Sequence, residues 1–311
     1  MPLTMTMIGA SGTGKSCYLY GTYAAMLEGI SLFHFTPKDY NQGLELEEAW
    51  ELIMNDGHWP SGHVESADYI FDCLHHGVRI GTFTWQDYRG GILTEKKGDD
   101  APEDVQAFHQ RCRNADTLLV CIPADVLLKA AQGNSQSDHM LSRYLRIMGG
   151  FPNLINVPVV LMITKSDLIT DEETRQCISH LLERFNRLLT INHEWLMIVP
   201  VSLGRFHGDM VQNGKVDGNV EPKRLHLPIL FPIYLELSKI AIDDRRTGQE
   251  HSDRTGWGKF WYGDESEHYY RMAREREATM AAIWKEFEGA VDIYQNGNPI
   301  LNSSGALPQT E

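Results

Sequence analysis

The chain has 311 residues, of which 42% are hydrophobic and 23% charged, and its formal net charge is −14 at pH 7. This length and composition are those of a globular protein that can bury a full core. The negative charge argues against a surface dedicated to nucleic acids or anionic membranes. The five cysteines are scattered without a C-x-x-C pair, so neither a disulfide framework nor a zinc ribbon is indicated.

The chain begins with an apolar run, Leu3 to Ile8, which predicts a buried strand. Because this strand stands where a signal peptide would lie, no signal peptide is indicated. No apolar run in the sequence is long enough to cross a bilayer. We therefore expect a cytoplasmic protein without a membrane span.

The motif G-x-x-x-x-G-K-S follows the first strand and precedes a helix predicted from Cys17 to Leu27. A chance match is the alternative, but this strand–loop–helix order is typical of the phosphate loop of nucleoside-triphosphate-binding proteins. Its glycines let backbone N–H groups turn toward phosphate oxygens, and the helix N-terminus faces the anion. Lys15 is expected to reach the β- and γ-phosphates and Ser16 to bind Mg²⁺. The predicted nucleotide-binding residues here are Gly9, Ser11, Gly12, Thr13, Gly14, Lys15, Ser16 and Cys17.

A hairpin signal follows a short predicted strand (30–35) and a predicted helix (44–54). Its second strand, Val78 to Trp85, leads into Asp87-Tyr88-Arg89-Gly90, a D-x-x-G motif. At a strand end, the Asp87 carboxylate can help hold Mg²⁺ and the Gly90 amide can bond the γ-phosphate. A lone D-x-x-G is a weak signal, and its position downstream of a phosphate loop favours the functional interpretation.

Buried strands are then predicted at 117–123, 157–163 and 195–201, alternating with helices at 103–113, 126–132, 141–148 and 171–189. The apolar runs of these strands show no alternation, which is typical of parallel strands covered on both faces. This order predicts an α/β fold with a mainly parallel sheet and ligand-binding loops at the carboxyl ends of its strands.

The segment Thr164-Lys165-Ser166-Asp167 ends the second of these strands and indicates which base is bound. The Asp167 carboxylate can accept two hydrogen bonds from guanine, whereas adenine offers no matching pair of donors. Lys165 can lay its aliphatic stem along the base plane. Ser202 and Leu203 follow the last strand, and their backbone can add an N–H to the guanine carbonyl. The alternative is an ordinary polar turn in which Asp167 caps a helix.

The order of phosphate loop, D-x-x-G, T-K-x-D and a serine-containing loop resembles the Ras-like P-loop GTPases of the translation-factor-related class, over about residues 3 to 205. More narrowly, Gly57-His58-Trp59-Pro60 and Leu225-His226-Leu227-Pro228 resemble segments of bacterial double-GTPases or effector-associated GTPases. The resemblance implies a three-layer P-loop NTPase fold, GTP or GDP with Mg²⁺, an unidentified effector or regulatory protein and a homo-oligomer as an option. Position 164 is Thr where the family more often has Asn.

Two departures from the family pattern bear on mechanism. Gly91 follows D-x-x-G where the family often has a Gln that orients water, so slow intrinsic hydrolysis is expected. Lys15, Gly90 and Arg89 are the candidate catalytic residues, with Arg89 as an internal arginine finger or a solvated surface residue. The candidate metal ligands are Ser16, Asp87 and, in the first switch, Ser66, to which Ser61 is the alternative. A P-loop ATPase and a nucleotide-binding scaffold without hydrolysis remain the alternatives.

The last third predicts a GTPase domain over residues 1–242, a helical extension over 243–295 and a disordered tail over 296–311. Residues 206–225 are rich in Gly, Asn and Asp and predict a loop, and 227–242 predicts a helix. A continuous helix is expected from Glu265 to Tyr294, because one apolar stripe runs along it through Met280, Trp284, Phe287, Val291 and Tyr294. The stripe is interpreted either as packing on the GTPase domain or as an association surface.

Overall fold

A computed structural model of the chain describes residues 2–56, 67–87, 103–149, 157–186, 194–206, 218–253 and 265–303. Its strands, in chain order, are β1 (Leu3–Ile8), β2 (Phe33–Pro37), β3 (Ala67–His75), β4 (Val78–Asp87), β5 (Thr117–Pro123), β6 (Val159–Thr164), β7 (Trp195–Pro200), β8 (Ser202–Phe206), β9 (Gly218–Lys223), β10 (Asp292–Gln295) and β11 (Asn298–Leu301). Nine of them form one sheet in the order β11-β10-β7-β6-β5-β1-β4-β3-β2, while β8 and β9 pair with each other.

The five central strands, β4, β1, β5, β6 and β7, are parallel. Every residue of β5 and β6 is buried, because helices cover both faces of the sheet. The outer strands pair antiparallel: β3 joins β4 and β2, and β10 joins β7 and β11. The predicted α/β fold with a mainly parallel centre is therefore confirmed.

Helices form a layer on each face of the sheet. One layer packs against Met5 and Met7 and contains α1 (Lys15–Glu28), α2 (Tyr40–Asp56), α7 (Leu227–Asp253) and α8 (Glu265–Phe287). The other packs against Ile8 and contains α3 (Glu103–Asn114), α4 (Ala124–Ala131), α5 (Ser135–Gly149) and α6 (Asp171–Asn186). The loops at the carboxyl ends of the parallel strands consequently lie between two helical layers.

The turns of the predicted hairpin and first helix agree with their sequence signals. His76 (φ 51°) and Gly77 (φ 74°) both adopt the left-handed conformation between β3 and β4, as a tight hairpin turn requires. Gly29 (φ 95°) ends α1, and its N–H donates to the carbonyl of Ala25.

The last third differs from the sequence-based expectation. Helix α7 continues without interruption past residue 242 to Asp253. Helix α8 ends at Phe287, and Gly289 (φ 69°) turns the chain into β10, so the predicted helix up to Tyr294 is wrong. Part of the predicted disordered tail is strand β11, and part of the predicted 206–225 loop is strand β9. The division into domains at 242 and 295 stays a prediction.

A membrane-spanning helix would need a long apolar stretch with few charges, and none of the helices in the described ranges has one.

Candidate functional site

The predicted motifs meet at one edge of the sheet. The phosphate loop connects β1 to α1, Asp87 is the last residue of β4, and Thr164 is the last residue of β6. Since β1, β4 and β6 run in the same direction, their carboxyl ends lie at the same edge of the sheet. The sheet topology therefore gathers segments that are up to about 150 residues apart in the sequence.

Glycines shape the phosphate loop in two different ways. Gly12 (φ 77°) and Gly14 (φ 88°) adopt left-handed backbone conformations, and a Cβ at either would meet no atom of the described residues within 4 Å. The backbone torsion alone favours glycine at these two positions. Gly9 instead lies in tight contact, because a Cβ there would come within 2.6 Å of Thr13 Oγ1 and 3.1 Å of Cys121 Cβ.

Lys15 closes the loop from inside. Its ammonium donates to the carbonyl oxygens of Gly9 (2.8 Å) and Ala10 (3.0 Å), and the residue is only 7% exposed. Burial lowers the pKa of Lys15 below its ordinary value of 10.5, while electrostatic interactions with Cys121 and Asp87 oppose the shift. Two backbone carbonyls thus hold the Lys15 ammonium inside the loop.

Asp87 and Ser16 are the two predicted magnesium ligands that the structure describes. Asp87 is 2% exposed, and its charge acts on Lys15. Ser16 is half-buried in the first turn of α1. A hydroxyl and a carboxylate are the hard oxygen donors that Mg²⁺ prefers, so the side chains present here fit a magnesium ion.

Tyr20 and Tyr69 were not predicted as site residues. Both are at most 8% exposed. Burial raises the pKa of each phenol; Tyr69 and then Asp87 raise that of Tyr20 further, and Asp87 raises that of Tyr69. The sequence held one signal for Tyr20, because it lies four residues after Ser16 on the same face of α1. For Tyr69, the hairpin pattern alone gave no such signal.

The predicted guanine motif contacts the phosphate loop directly. Thr164 is 3% exposed, and its hydroxyl donates to the carbonyl of Thr13 over 2.8 Å. The Lys165 ammonium donates to the carbonyl of Gly12 over 2.9 Å, and Lys165 itself adopts a left-handed conformation (φ 56°). Asp167 follows in a short 3₁₀ helix, Ser166–Leu168, and is half-buried. Thr164 and Lys165 thus lie against the phosphate loop, and the base-binding role of this segment stays a prediction.

Ser202 and Leu203 begin strand β8 instead of forming the expected open loop. The Leu203 side chain packs on α1, where a Cβ added at Gly21 would lie 2.2 Å from Leu203 Cδ2. The backbone before it is tied to the guanine motif, because the N–H of Ser166 donates to the carbonyl of Val201 over 3.2 Å. Ser202 and Leu203 therefore lie beside the motif, with the leucine side chain used for packing.

Cys17 is half-buried at the start of α1. Burial raises the pKa of its thiol to about 11, while the nearby Lys165 ammonium lowers it. The thiol is thus neutral at physiological pH and close to the guanine motif. The remaining candidates, Ser66, Arg89 and Gly90, as well as Gly91, lie outside the residues that the structure describes.

Comparison with known proteins found no matching family model and no matching curated protein. Among solved structures, the chain is similar to Sup35 complexed with GDP at 13% identity and a TM-score of 0.33, with 64% of this chain and 36% of that chain covered. The bacterial selenocysteine-specific elongation factor EF-Sec gives 10% identity and a TM-score of 0.35, with 65% and 26% covered. The S. cerevisiae Ski7 GTPase-like domain bound to GTP is 13% identical with a TM-score of 0.40, and the match covers 65% of this chain and 43% of that chain. The chain thus matches less than half the length of each of these three structures.

Proposed function

We propose that the protein is a GTP-binding switch that hydrolyses GTP to GDP slowly and with Mg²⁺. One observation supports this most strongly: Thr164 and Lys165 are hydrogen-bonded to the carbonyls of Thr13 and Gly12 in the phosphate loop. The predicted base-binding and phosphate-binding segments therefore form one continuous surface. A single nucleotide can contact both of them.

At the phosphate end, the loop amides and Lys15 bind the phosphate oxygens. Lys15 exchanges its bonds to Gly9 and Ala10 for bonds to phosphate, so a cation already held in place moves only locally. Ser16 and Asp87 would hold Mg²⁺, which supplies positive charge against the β- and γ-phosphate oxygens. These residues bind and orient the phosphates, and burial beneath α1 and β4 keeps water away from Lys15.

At the base end, Asp167 accepts hydrogen bonds from the ring N–H and the amine of guanine. Adenine lacks this pair of donors, so it cannot make the two hydrogen bonds to Asp167 that guanine makes. The Lys165 stem, anchored at Gly12, covers one side of the base. The proposed preference for guanine over adenine therefore depends on Asp167.

Slow hydrolysis is proposed from Gly91, since a glycine has no side chain with which to orient the attacking water. Arg89 and Gly90 are proposed as the residues of this segment that act on the γ-phosphate. Nucleotide state would be communicated to an effector or regulatory protein through residues 36–66, which end at Ser66, and residues 88–102, which follow Asp87. We place this switch in the cytoplasm, with homo-oligomerisation as an option.

The test is a binding titration in Mg²⁺ with fluorescent GDP, followed by competition with GTP and ATP. GTP is expected to displace the probe at about 10³-fold lower concentration than ATP. Lys15→Ala should abolish binding, whereas Lys129→Ala should not, because Lys129 is an exposed lysine paired with Asp125. Asp167→Asn should shift the preference from guanine to xanthine nucleotides.

Equal competition by ATP and GTP would support a P-loop ATPase and contradict the guanine assignment. Binding of GTP without any turnover over several hours would support a nucleotide-binding scaffold. Fast single-turnover hydrolysis by the isolated protein would overturn the slow-switch proposal.

A further inference from the structure

A network of polar side chains connects the neighbouring strands β1, β4 and β3. The hydroxyl of Thr6 on β1 donates to Gln86 Oε1 on β4 over 2.9 Å, and both residues are buried, at 0% and 8% exposure. Gln86 Nε2 reaches Asp68 Oδ2 on β3 at 3.5 Å. Arg111 on α3 donates to Asp68 Oδ1 over 2.5 Å. Three neighbouring strands and one helix are thus connected through their side chains.

Gln86, the central residue of this network, directly precedes the proposed magnesium ligand Asp87. The parallel register of β1 and β4 runs from Leu3↔Phe83 to Thr6↔Gln86, so Gln86 is the last residue of β4 in that register. Asp87 comes next and pairs with Ala67 on β3. Because side chains alternate along a strand, Gln86 faces α3 while Asp87 faces the phosphate loop. The hydrogen bond between Thr6 and Gln86 therefore joins the side chains of β1 and β4 at the residue directly before Asp87.

Stability alone does not account for this arrangement. A buried hydrogen-bonded pair gives little net free energy over an apolar pair of the same shape, because both groups must leave water. On the same face of the sheet, Ile8 of β1 and Phe108 and Cys112 of α3 show that apolar side chains pack there. A satisfied polar pair does differ from an apolar one in that it fixes a single relative position of the two strands.

We propose that Gln86, held by Thr6 and Asp68, is a positioning residue that fixes the Asp87 carboxylate for Mg²⁺. The proposal rests on the proposed function, since it concerns the magnesium-bound nucleotide. Gln86 acts through the end of β4 and touches neither the nucleotide nor the ion. Replacing a residue that orients a metal ligand without binding the metal commonly lowers metal affinity by about tenfold or more.

The experiment measures GDP affinity of the full chain in excess Mg²⁺ and again in EDTA, and takes the ratio of the two dissociation constants. For Gln86→Leu, the strengthening of GDP binding by Mg²⁺ should fall about tenfold, while the affinity in EDTA stays within about twofold of the wild type. Thr82→Val is the matched control. Thr82 lies on the same strand, and its hydroxyl bonds the carboxylate of its β3 partner Asp72 over 2.5 Å, but about 13 Å from Gln86 along the strand.

A second variant separates positioning from stability. Thr6→Val with Gln86→Leu leaves neither partner of the hydrogen bond unsatisfied, so the melting temperature should return toward that of the wild type. The proposal expects the Mg²⁺ effect to stay about tenfold weaker in this double variant. Recovery of the Mg²⁺ effect together with stability, or an equal loss in Thr82→Val, would overturn it.

The two proposals fail differently. If wild-type protein does not bind GDP, or binds it equally with and without Mg²⁺, the proposed function itself fails, and this inference fails with it. If wild-type binding depends on Mg²⁺ and Gln86→Leu behaves in the same way, only the positioning role is refuted.

Discussion

Replacing Gly21 by alanine tests the close packing between α1 and the start of β8. Gly21 lies inside α1, where a Cβ would come within 2.2 Å of Leu203 Cδ2, 3.2 Å of Trp50 Cζ3 and 3.3 Å of Leu225 Cδ1. The first contact cannot persist, and the other two leave little room for the methyl group. The Leu203 side chain must therefore move in the Gly21→Ala variant.

Two opposing terms set the magnitude. Glycine to alanine inside a helix gains about 1 kcal/mol of helix propensity. Overfilling a packed site costs about 1–3 kcal/mol. We expect the packing term to prevail and Gly21→Ala to lower the free energy of unfolding by about 1 kcal/mol, or the melting temperature by about 2 °C for a chain of this size. The affinity for GDP should fall as well, because Leu203 belongs to the predicted base-binding segment.

The assay is urea denaturation of a double-mutant cycle built from Gly21→Ala and Leu203→Ala. Truncating Leu203 alone should destabilise the protein, because it leaves a cavity against α1. In the Gly21→Ala background the new methyl group fills part of that cavity, so the same truncation should cost about 1 kcal/mol less. The packing argument would be refuted if Gly21→Ala raised the free energy of unfolding by the full helix-propensity gain. It would also be refuted if truncating Leu203 cost the same free energy with and without Gly21→Ala.

Two further predictions concern the loop contact and a buried histidine. Thr164→Val removes the bond to the Thr13 carbonyl, so GDP affinity in the same titration should fall about fivefold, equivalent to about 1 kcal/mol. Burial lowers the pKa of His226 below its ordinary value of 6.5, against the effect of Glu286, so the unfolded chain takes up this proton more readily than the folded one. Neutral His226 therefore contributes to stability above about pH 6.5, and this contribution is lost as the pH falls. In urea denaturation, the free energy of unfolding should fall more between about pH 7.5 and about pH 5.5 for wild type than for His226→Gln.

The central strands and the phosphate loop could be predicted because their signals are local. Strand β5 matches the predicted range 117–123 at both ends, since its apolar run is unbroken and Asp116 precedes it. The loop glycines and the Thr164–Lys165 pair could be predicted because their residue types and spacing alone form recognisable motifs. Their contact with each other follows from the parallel order of the strands.

The C-terminal strands could not be predicted in this way, because their pairing depends on partners far away in the sequence. The apolar stripe continues at helical spacing through Val291 and Tyr294, yet Gly289 stops the helix after Phe287. Val291 and Ile293 are then fully buried as part of the extended chain, against β7. The same distance problem hid the Gln86 network, which joins residues as far apart as Thr6 and Arg111.

The pairing of β10 with β7 bears on how the chain is synthesised. Strand β7 is an almost wholly buried apolar strand whose outer edge is covered by β10, and β10 begins 92 residues after β7 ends (Pro200 to Asp292). At ordinary elongation rates this separation corresponds to roughly 5–20 s on the ribosome. During that interval a nascent chain has an open apolar strand edge, a preferred site for pairing between chains. Neighbouring nascent chains on one messenger RNA would need to be kept apart, by spacing or by a chaperone, until residue 295 has emerged.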